Sequence, residues 1–170
     1  LHLGNTYLLL TALALTVKAL SNPREELHLN RNRAVQAGAA LLLLTGMFGA
    51  LAALGDTLFP GTRGFVTEGH TYLKLRNIHP LLAVFTIGYV LTIAVRQRDD
   101  YPALISKYHL CDVVAFLTAL QGLIGITNIV LSAPPYMQII NLLGSDALWI
   151  VYSYWLFSTA RKNGKVLAGA

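Results

Sequence analysis

Apolar residues along this chain gather into five long runs separated by short polar stretches: Leu1 to Leu20, Ala34 to Leu54, Ile78 to Val95, Leu110 to Leu131 and Ile139 to Ala160. A helix that crosses the hydrocarbon core of a bilayer needs roughly 20 residues, and each run approaches that length. The pattern predicts an all-α, polytopic membrane protein with five transmembrane helices. The first run is short because the chain begins inside it. No basic segment precedes it and no small-residue cleavage pattern follows it, so it reads as a span rather than a signal peptide. With short connections, spans two to five are expected to form an up-and-down four-helix bundle, in which alternate helices stand diagonally opposite.

Composition agrees with this class. Hydrophobic residues make up 55% of the chain and charged residues 12%, whereas a soluble domain carries about twice that charged fraction. Ten of the thirteen Lys and Arg residues fall in three segments, "KALSNPREELHLNRNR", "RQRDDYPALISKYH" and the tail "RKNGKVLAGA"; Arg63, Lys74 and Arg76 lie in the remaining loop. The positive-inside rule puts both basic loops and the tail in the cytoplasm. This asymmetry accounts for the net charge of +5, and no nucleic-acid partner is expected, since the cations are not interleaved with aromatics. The single Cys111 cannot form an internal disulfide and reads as a small apolar residue. The sequence has no CxxC, HExxH, phosphate loop or nucleophile elbow, so any chemistry must come from residues within or beside the helices.

Ionisable side chains inside membrane helices are costly and mark functional candidates. His28 and His109 fall at cytoplasmic positions, and His70 falls in the outer loop, where solvation is the simple reading. His2 and His79 differ, because each stands in the first turn of a descending span. Pro80 fits a helix start, where a missing N–H costs nothing. The equivalent place on the fifth span is Asn141. A short internal echo supports the alignment: "HLGNTYLL" matches "NLLGSDAL" with Thr6 against Ser145 and Leu9 against Leu148, as in a duplicated bundle. Histidines on facing helices at one depth can sandwich a haem, whose iron takes neutral imidazole; the plain alternative for His79 is an interfacial cap. Arg76 and Lys74 could pair with haem propionates, with snorkelling as their alternative. Gly55 suits a helix stop, with Asp56 bonding the loop after it. Ser145 and Asp146 could hydrogen-bond across the bundle. Trp149, Tyr152, Tyr154 and Trp155 read as packing or interfacial aromatics.

"MFGALAALGDTLFP", "LRNIHPLLA" and "GITNIVLSAPPYMQIINLLGSDALWI" resemble the C-terminal half of heme A synthases, and "LHLGNTYLLLTALALT" resembles the last helix of that family's N-terminal half. The resemblance implies two similar four-helix bundles, one where heme O becomes heme A by oxidation of a ring methyl to formyl, the other holding haem b. It divides the chain into residues 1–22 (last helix of the substrate-haem bundle), a cytoplasmic linker 23–33, the cofactor-haem bundle 34–162, and a cytoplasmic tail 163–170. By position, His2 matches an iron ligand of the substrate bundle and His79 one of the cofactor bundle. Asn141 stands where the family pattern has a second histidine. An amide carbonyl is a weak donor beside imidazole, so the haem b site is five-coordinate, ligated differently, or lost.

The resulting expectation is the C-terminal portion of a heme A synthase-like oxidoreductase of heme biosynthesis and respiratory-chain assembly, inactive without its upstream helices. The missing initial methionine points the same way. It would be a multi-pass protein of a prokaryotic cytoplasmic membrane. Its expected partners are the lipid bilayer, haem, those upstream helices, a heme O-producing enzyme and an electron donor. The alternatives are a haem b electron-transfer protein and a haem-free degenerate bundle serving as an assembly subunit. The orientation is testable with an impermeant thiol reagent on intact cells, using single cysteines at positions 62 and 30 in a Cys111→Ser background. Labelling at 62 and not at 30 is expected; the reverse would overturn the arrangement.

Overall fold

The computed structural model describes residues 2–21, 29–58, 71–101, 103–105, 108–158, 161–162 and 165–166. Five helices carry the fold: α1 (His2–Ser21), α2 (Arg33–Leu58), α3 (Thr71–Arg96), α4 (Leu110–Val130) and α5 (Pro135–Leu156). Beside them are a 3-10 turn (Arg98–Asp100) and two short antiparallel ribbons, β1 (Ala103–Ile105) with β2 (Tyr108–His109), and β3 (Arg161–Lys162) with β4 (Lys165–Val166). Among the described residues, three helices are long and apolar enough to cross a membrane, over Arg33–Gly55, Asn77–Arg96 and Leu110–Val130. Helices α1 and α5 are not among them; α5 carries Gln138, Asn141, Ser145, Asp146 and Ser153.

Several boundaries differ from expectation, each for a local reason. Helix α2 continues through Gly55 to Leu58, so Gly55 is not a helix stop. Helix α3 begins at Thr71, which leaves His79 in its third turn and Pro80 inside the helix rather than at its start. Pro80 has no N–H to give the carbonyl four residues back. Helix α5 starts at Pro135, with Pro134 as its N-cap, because a proline at the first helical position loses a bond that is unmade anyway. The link from α4 to α5 turns sharply through Ser132 and Ala133, both left-handed at φ 63° and 53°. Such a backbone costs about 1–2 kcal/mol per non-glycine residue.

Helices α2, α3, α4 and α5 touch in cyclic order, which leaves α3 and α5 across the ring from each other, and α1 lies against α5 and α2. Polar pairs fix the neighbours. On α2 and α3, the Thr45 and Thr86 hydroxyls lie 2.8 Å apart and Tyr89 donates to the Ala34 carbonyl at 3.1 Å. Tyr152 of α5 donates to the Val35 carbonyl of α2 at 2.9 Å. At the same end, buried Asn30 gives its amide to the Tyr101 hydroxyl at 2.6 Å. Its backbone N–H bonds the Leu156 carbonyl at 2.7 Å. Asn30 is therefore a poor labelling position, and exposed Leu29 beside it is the one to use.

Helix α1 runs parallel to α5 along a polar seam. Trp149 Nε1–H donates to the Tyr7 carbonyl at 3.0 Å and to Thr11 Oγ1 at 2.9 Å. Tyr7 donates to Ser145 at 3.4 Å and stacks on Trp149 with ring centroids 4.9 Å apart. The Thr11 and Ser153 hydroxyls are 3.2 Å apart. Lys18 donates to the Phe157 carbonyl at 2.7 Å, a cation at the negative end of α5's dipole. All these partners are separated in sequence by 138 to 142 residues, so the two helices stay in step, and position 2 stands level with about position 141.

Tyr152 reaches α2 because Gly38 has no side chain; a Cβ there would collide with the Tyr152 hydroxyl. Gly38→Ala should destabilise the protein in detergent by about 1–3 kcal/mol, as over-packing does. Tyr152→Phe alone should cost about 1 kcal/mol, by leaving the Val35 carbonyl short of a donor. The double variant should be more stable than Gly38→Ala alone, because the clashing atom is gone. Additive losses in denaturant unfolding would contradict this contact.

Candidate functional site

His79 is the one histidine of the described side chains that lies inside a helix apolar enough to span a membrane. Its imidazole lies flat against α2. Nδ1 is 3.1 Å from the Thr45 carbonyl oxygen, and a Cβ on Gly49 would come within 3.0 Å of ring carbon Cε1. A carbonyl only accepts, so Nδ1 must carry the proton. Nε2 then holds the lone pair, the tautomer in which a histidine can bind a metal while its other nitrogen is oriented by the protein. Thr45 is itself held by Thr86, which is buried in α3.

Asn141, on the far side of the ring, faces α4. Gln121 Nε2 donates to the Asn141 backbone carbonyl at 2.8 Å and to Asn141 Oδ1 at 3.0 Å. Ile93 of α3 and Tyr152 of α5 both close on Gly38, marking a common level. The stretch from His79 to Ile93 is three residues longer than that from Asn141 to Tyr152. At a helical rise of about 1.5 Å per residue, His79 sits roughly 4.5 Å nearer the Pro135 end than Asn141 does. The two positions thus share a level to within one helical turn.

The donor set was tested for its fit to a haem. Among the described residues no three His, Cys, Asp or Glu side chains converge. A single oriented imidazole suits an iron whose other equatorial ligands come from a macrocycle, and Gly49 supplies the slot in which the ring lies. The His79 side fits. Asn141 fits poorly as a ligand, because an amide oxygen is a weak donor beside imidazole and this one is tethered to Gln121 on α4.

Other expected site residues fall as follows. His2 opens α1, and Lys74 and Arg76 lie in the first turns of α3, but the side chains of all three lie outside the described residues, as does that of Asp56. His28 and His70 also lie outside them. His109 is the N-cap residue of α4: its Nδ1 lies 3.2 Å from the Tyr101 carbonyl, and its backbone N–H donates to Asp112 Oδ2 at 3.3 Å. Asp112 also pairs with Arg98 at 2.6 Å, which holds the guanidinium pKa above its ordinary value. Cys111 is buried, its thiol directed at the Gln97 carbonyl. Ser145 bonds across to α1, while Asp146 Oδ1 is buried without a hydrogen-bond partner. Trp149, Tyr152 and Trp155 are buried packing residues. The clefts on either side of α1 are lined by apolar residues and Tyr7 or Tyr154, and gather no chemistry. Thr45, Gly49, Thr86 and Gln121 were missed. Only Gln121, a lone amide in the middle of an apolar span, left a signal in the sequence.

Comparison with known proteins gives the geometry a context. A family model described as COX15-CtaA, cytochrome oxidase assembly protein, matches residues 1–153. Two proteins named protoheme IX farnesyltransferase, from two strains of Thermus thermophilus, are each 36% identical to this chain over 175 residues. The match covers 96% of this chain and 28% of each relative, so the chain spans little more than a quarter of their length. No solved structure matched the chain.

Gly49→Val should push the His79 ring off α2 and break its bond to Thr45, at a stability cost of about 1–3 kcal/mol. In nitrogen-labelled protein, His79 is expected as the Nδ1–H tautomer in the wild type and as a tautomer mixture in the variant. A wild type carrying the proton on Nε2 would refute this orientation of the ring.

Proposed function

The chain belongs to the COX15-CtaA family of cytochrome oxidase assembly proteins, and on that premise we propose that it forms the haem b-holding part of a heme A synthase-like membrane oxidoreductase, with His79 as the residue that would hold the iron. One observation carries this reading: the Thr45 carbonyl takes the His79 Nδ1 proton and leaves Nε2 free in a spanning helix. An imidazole held in that way is a costly arrangement in a membrane helix without a function.

In this reading all five helices cross the bilayer, and α2–α5 form the up-and-down bundle. The basic loops and the tail face the cytoplasm. Helix α1 belongs to the substrate-haem bundle, with His2 as an iron ligand there. The in-step seam of α1 and α5 supports the internal duplication, since equivalent helices of two related bundles would meet in register. Arg76 and Lys74, on the turns of α3 before His79, pair with haem propionates. The bound haem b supplies one-electron redox chemistry. The protein's residues orient it: Thr45 and Gly49 set the plane of the His79 ring, and the apolar helix faces exclude water. The overall conversion of heme O is the four-electron oxidation R–CH3 + H2O → R–CHO + 4 H+ + 4 e−, for which the external redox partner would have to be an electron acceptor and not the donor expected from the sequence. The likeness to part of a protein named for farnesyl transfer to protoheme IX supports a heme O-producing enzyme as a working partner.

His79→Ala should lower the haem content of the purified protein by about tenfold, a loss of one metal–ligand bond. In cells supplied with heme O and co-expressing the upstream helices, chromatography of extracted haems should show less heme A for both His2→Ala and His79→Ala. Full haem retention by His79→Ala would overturn the ligand assignment. Unchanged heme A in both variants would overturn the oxidoreductase reading.

A further inference from the structure

Gln121 lies midway along α4 and clamps both oxygens of Asn141 with a single nitrogen, at 2.8 Å and 3.0 Å. The orientation of the two amides follows from donor and acceptor rules. A backbone carbonyl only accepts, so the end of Gln121 that meets it is the NH2 group. That same group also meets the Asn141 side chain, which must therefore present its oxygen, since two NH2 groups face to face share no bond. Asn141 Oδ1, the one basic atom of that side chain, is thereby tied to α4 by a hydrogen bond. The remaining atom, Nδ2, has its lone pair delocalised into the carbonyl and is no ligand for iron.

The surroundings are shaped for this clamp. A Cβ on Gly144 would collide with Gln121 Oε1, and one on Gly125 would stand 4.0 Å from Asn141 Oδ1. Gln121 Oε1 is buried and has no hydrogen-bond partner, which carries a desolvation cost. A leucine at this place would avoid that cost.

From this geometry we infer that Gln121 holds Asn141 off the iron, so that a haem bound to His79 keeps one axial position open to a small neutral diatomic ligand. The inference rests on His79 as the ligand and goes beyond it. A haem between two imidazoles is saturated and only passes electrons, whereas one imidazole leaves a position at which the protein controls ligand access. Gln121 is a positioning residue in this scheme, acting through Asn141.

The test uses the full chain purified with haem b, with carbon monoxide as the probe. The wild type should be high-spin when ferric and should bind carbon monoxide when ferrous. Asn141→His should become low-spin and bind carbon monoxide about tenfold more weakly, since the new imidazole competes for the open position. Gln121→Leu and Gly144→Ala release Asn141 by different routes, one removing the donor and the other displacing it. Both should shift the ferric spectrum toward six-coordination and weaken carbon monoxide binding, with haem content unchanged. Gly144→Ala leaves the chemistry of Gln121 intact, so the outcome does not depend on whether Gln121→Leu folds. A low-spin wild type that ignores carbon monoxide, yet loses its haem on His79→Ala, would overturn this inference and leave the ligand assignment standing. Haem retained in full by His79→Ala would instead overturn the ligand assignment. Gln121→Leu and Gly144→Ala spectra identical to the wild type would remove Gln121 from the scheme.

Discussion

A polar group inside a helix bundle is costly unless another protein group meets it, and most of those on α5 are met, Asp146 Oδ1 and Trp155 Nε1 being exceptions. That constraint organises this molecule around α5. Asn141 is met by α4, Ser145 and Trp149 by α1, and Tyr152 by α2. The carbonyl of Trp155 accepts from Asn30 at 3.3 Å. Each partner lies on a different neighbour, so the polar pattern of one helix selects the position of the others. Apolar side chains could not make that selection in lipid, since lipid tails are as apolar as leucine. Glycines complete the arrangement: Gly38 and Gly144 open the spaces into which Tyr152 and Gln121 reach.

The same constraint separates the two sides of the candidate site. His79 spends one ring nitrogen on Thr45 and keeps the other, while Asn141 has its one basic side-chain atom tied to Gln121. A site that looks symmetric along the sequence, with one polar residue near the start of each descending helix, is chemically one-sided in the fold. Its asymmetry comes from partners on α2 and α4, not from the two residues themselves.

That also explains what could be read from the sequence. The number and order of the helices were legible because runs of leucine, isoleucine and valine long enough to span leave few alternatives. Boundaries were less so. Helix α3 extends back to Thr71 through Lys74 and Arg76, residues that hydropathy assigns to a loop although they favour helix. Helix α5 begins at Pro135, ahead of its apolar run, because proline starts helices well. His79 stood out as an ionisable residue in a span. Its partner could not, because the Thr45 group it bonds is a backbone carbonyl, which every residue has. Gln121 was within reach, since an amide amid "FLTALQGLIGIT" is as anomalous as a charge, but the search for chemistry favoured ionisable groups. The seam between α1 and α5 joins residues about 140 positions apart, a distance at which no local pattern operates.

The polarity of α5 has a consequence for how the protein is made. A segment holding Gln138, Asn141, Ser145, Asp146 and Ser153 gains little by leaving the insertion channel alone for lipid. As a span it would enter the bilayer readily only where α1, α2 and α4 already offer their hydroxyls, carbonyls and amides. Those helices precede it in the chain and are synthesised first, so the order of translation supplies the partners before the helix that needs them. A chain with a misplaced earlier helix would leave α5 stranded at the channel with its polar side chains unmet, exposed to the proteases that clear failed membrane proteins. Helix α5 thereby inspects the three helices it bonds, and the molecules that persist are those in which α1, α2 and α4 are in place.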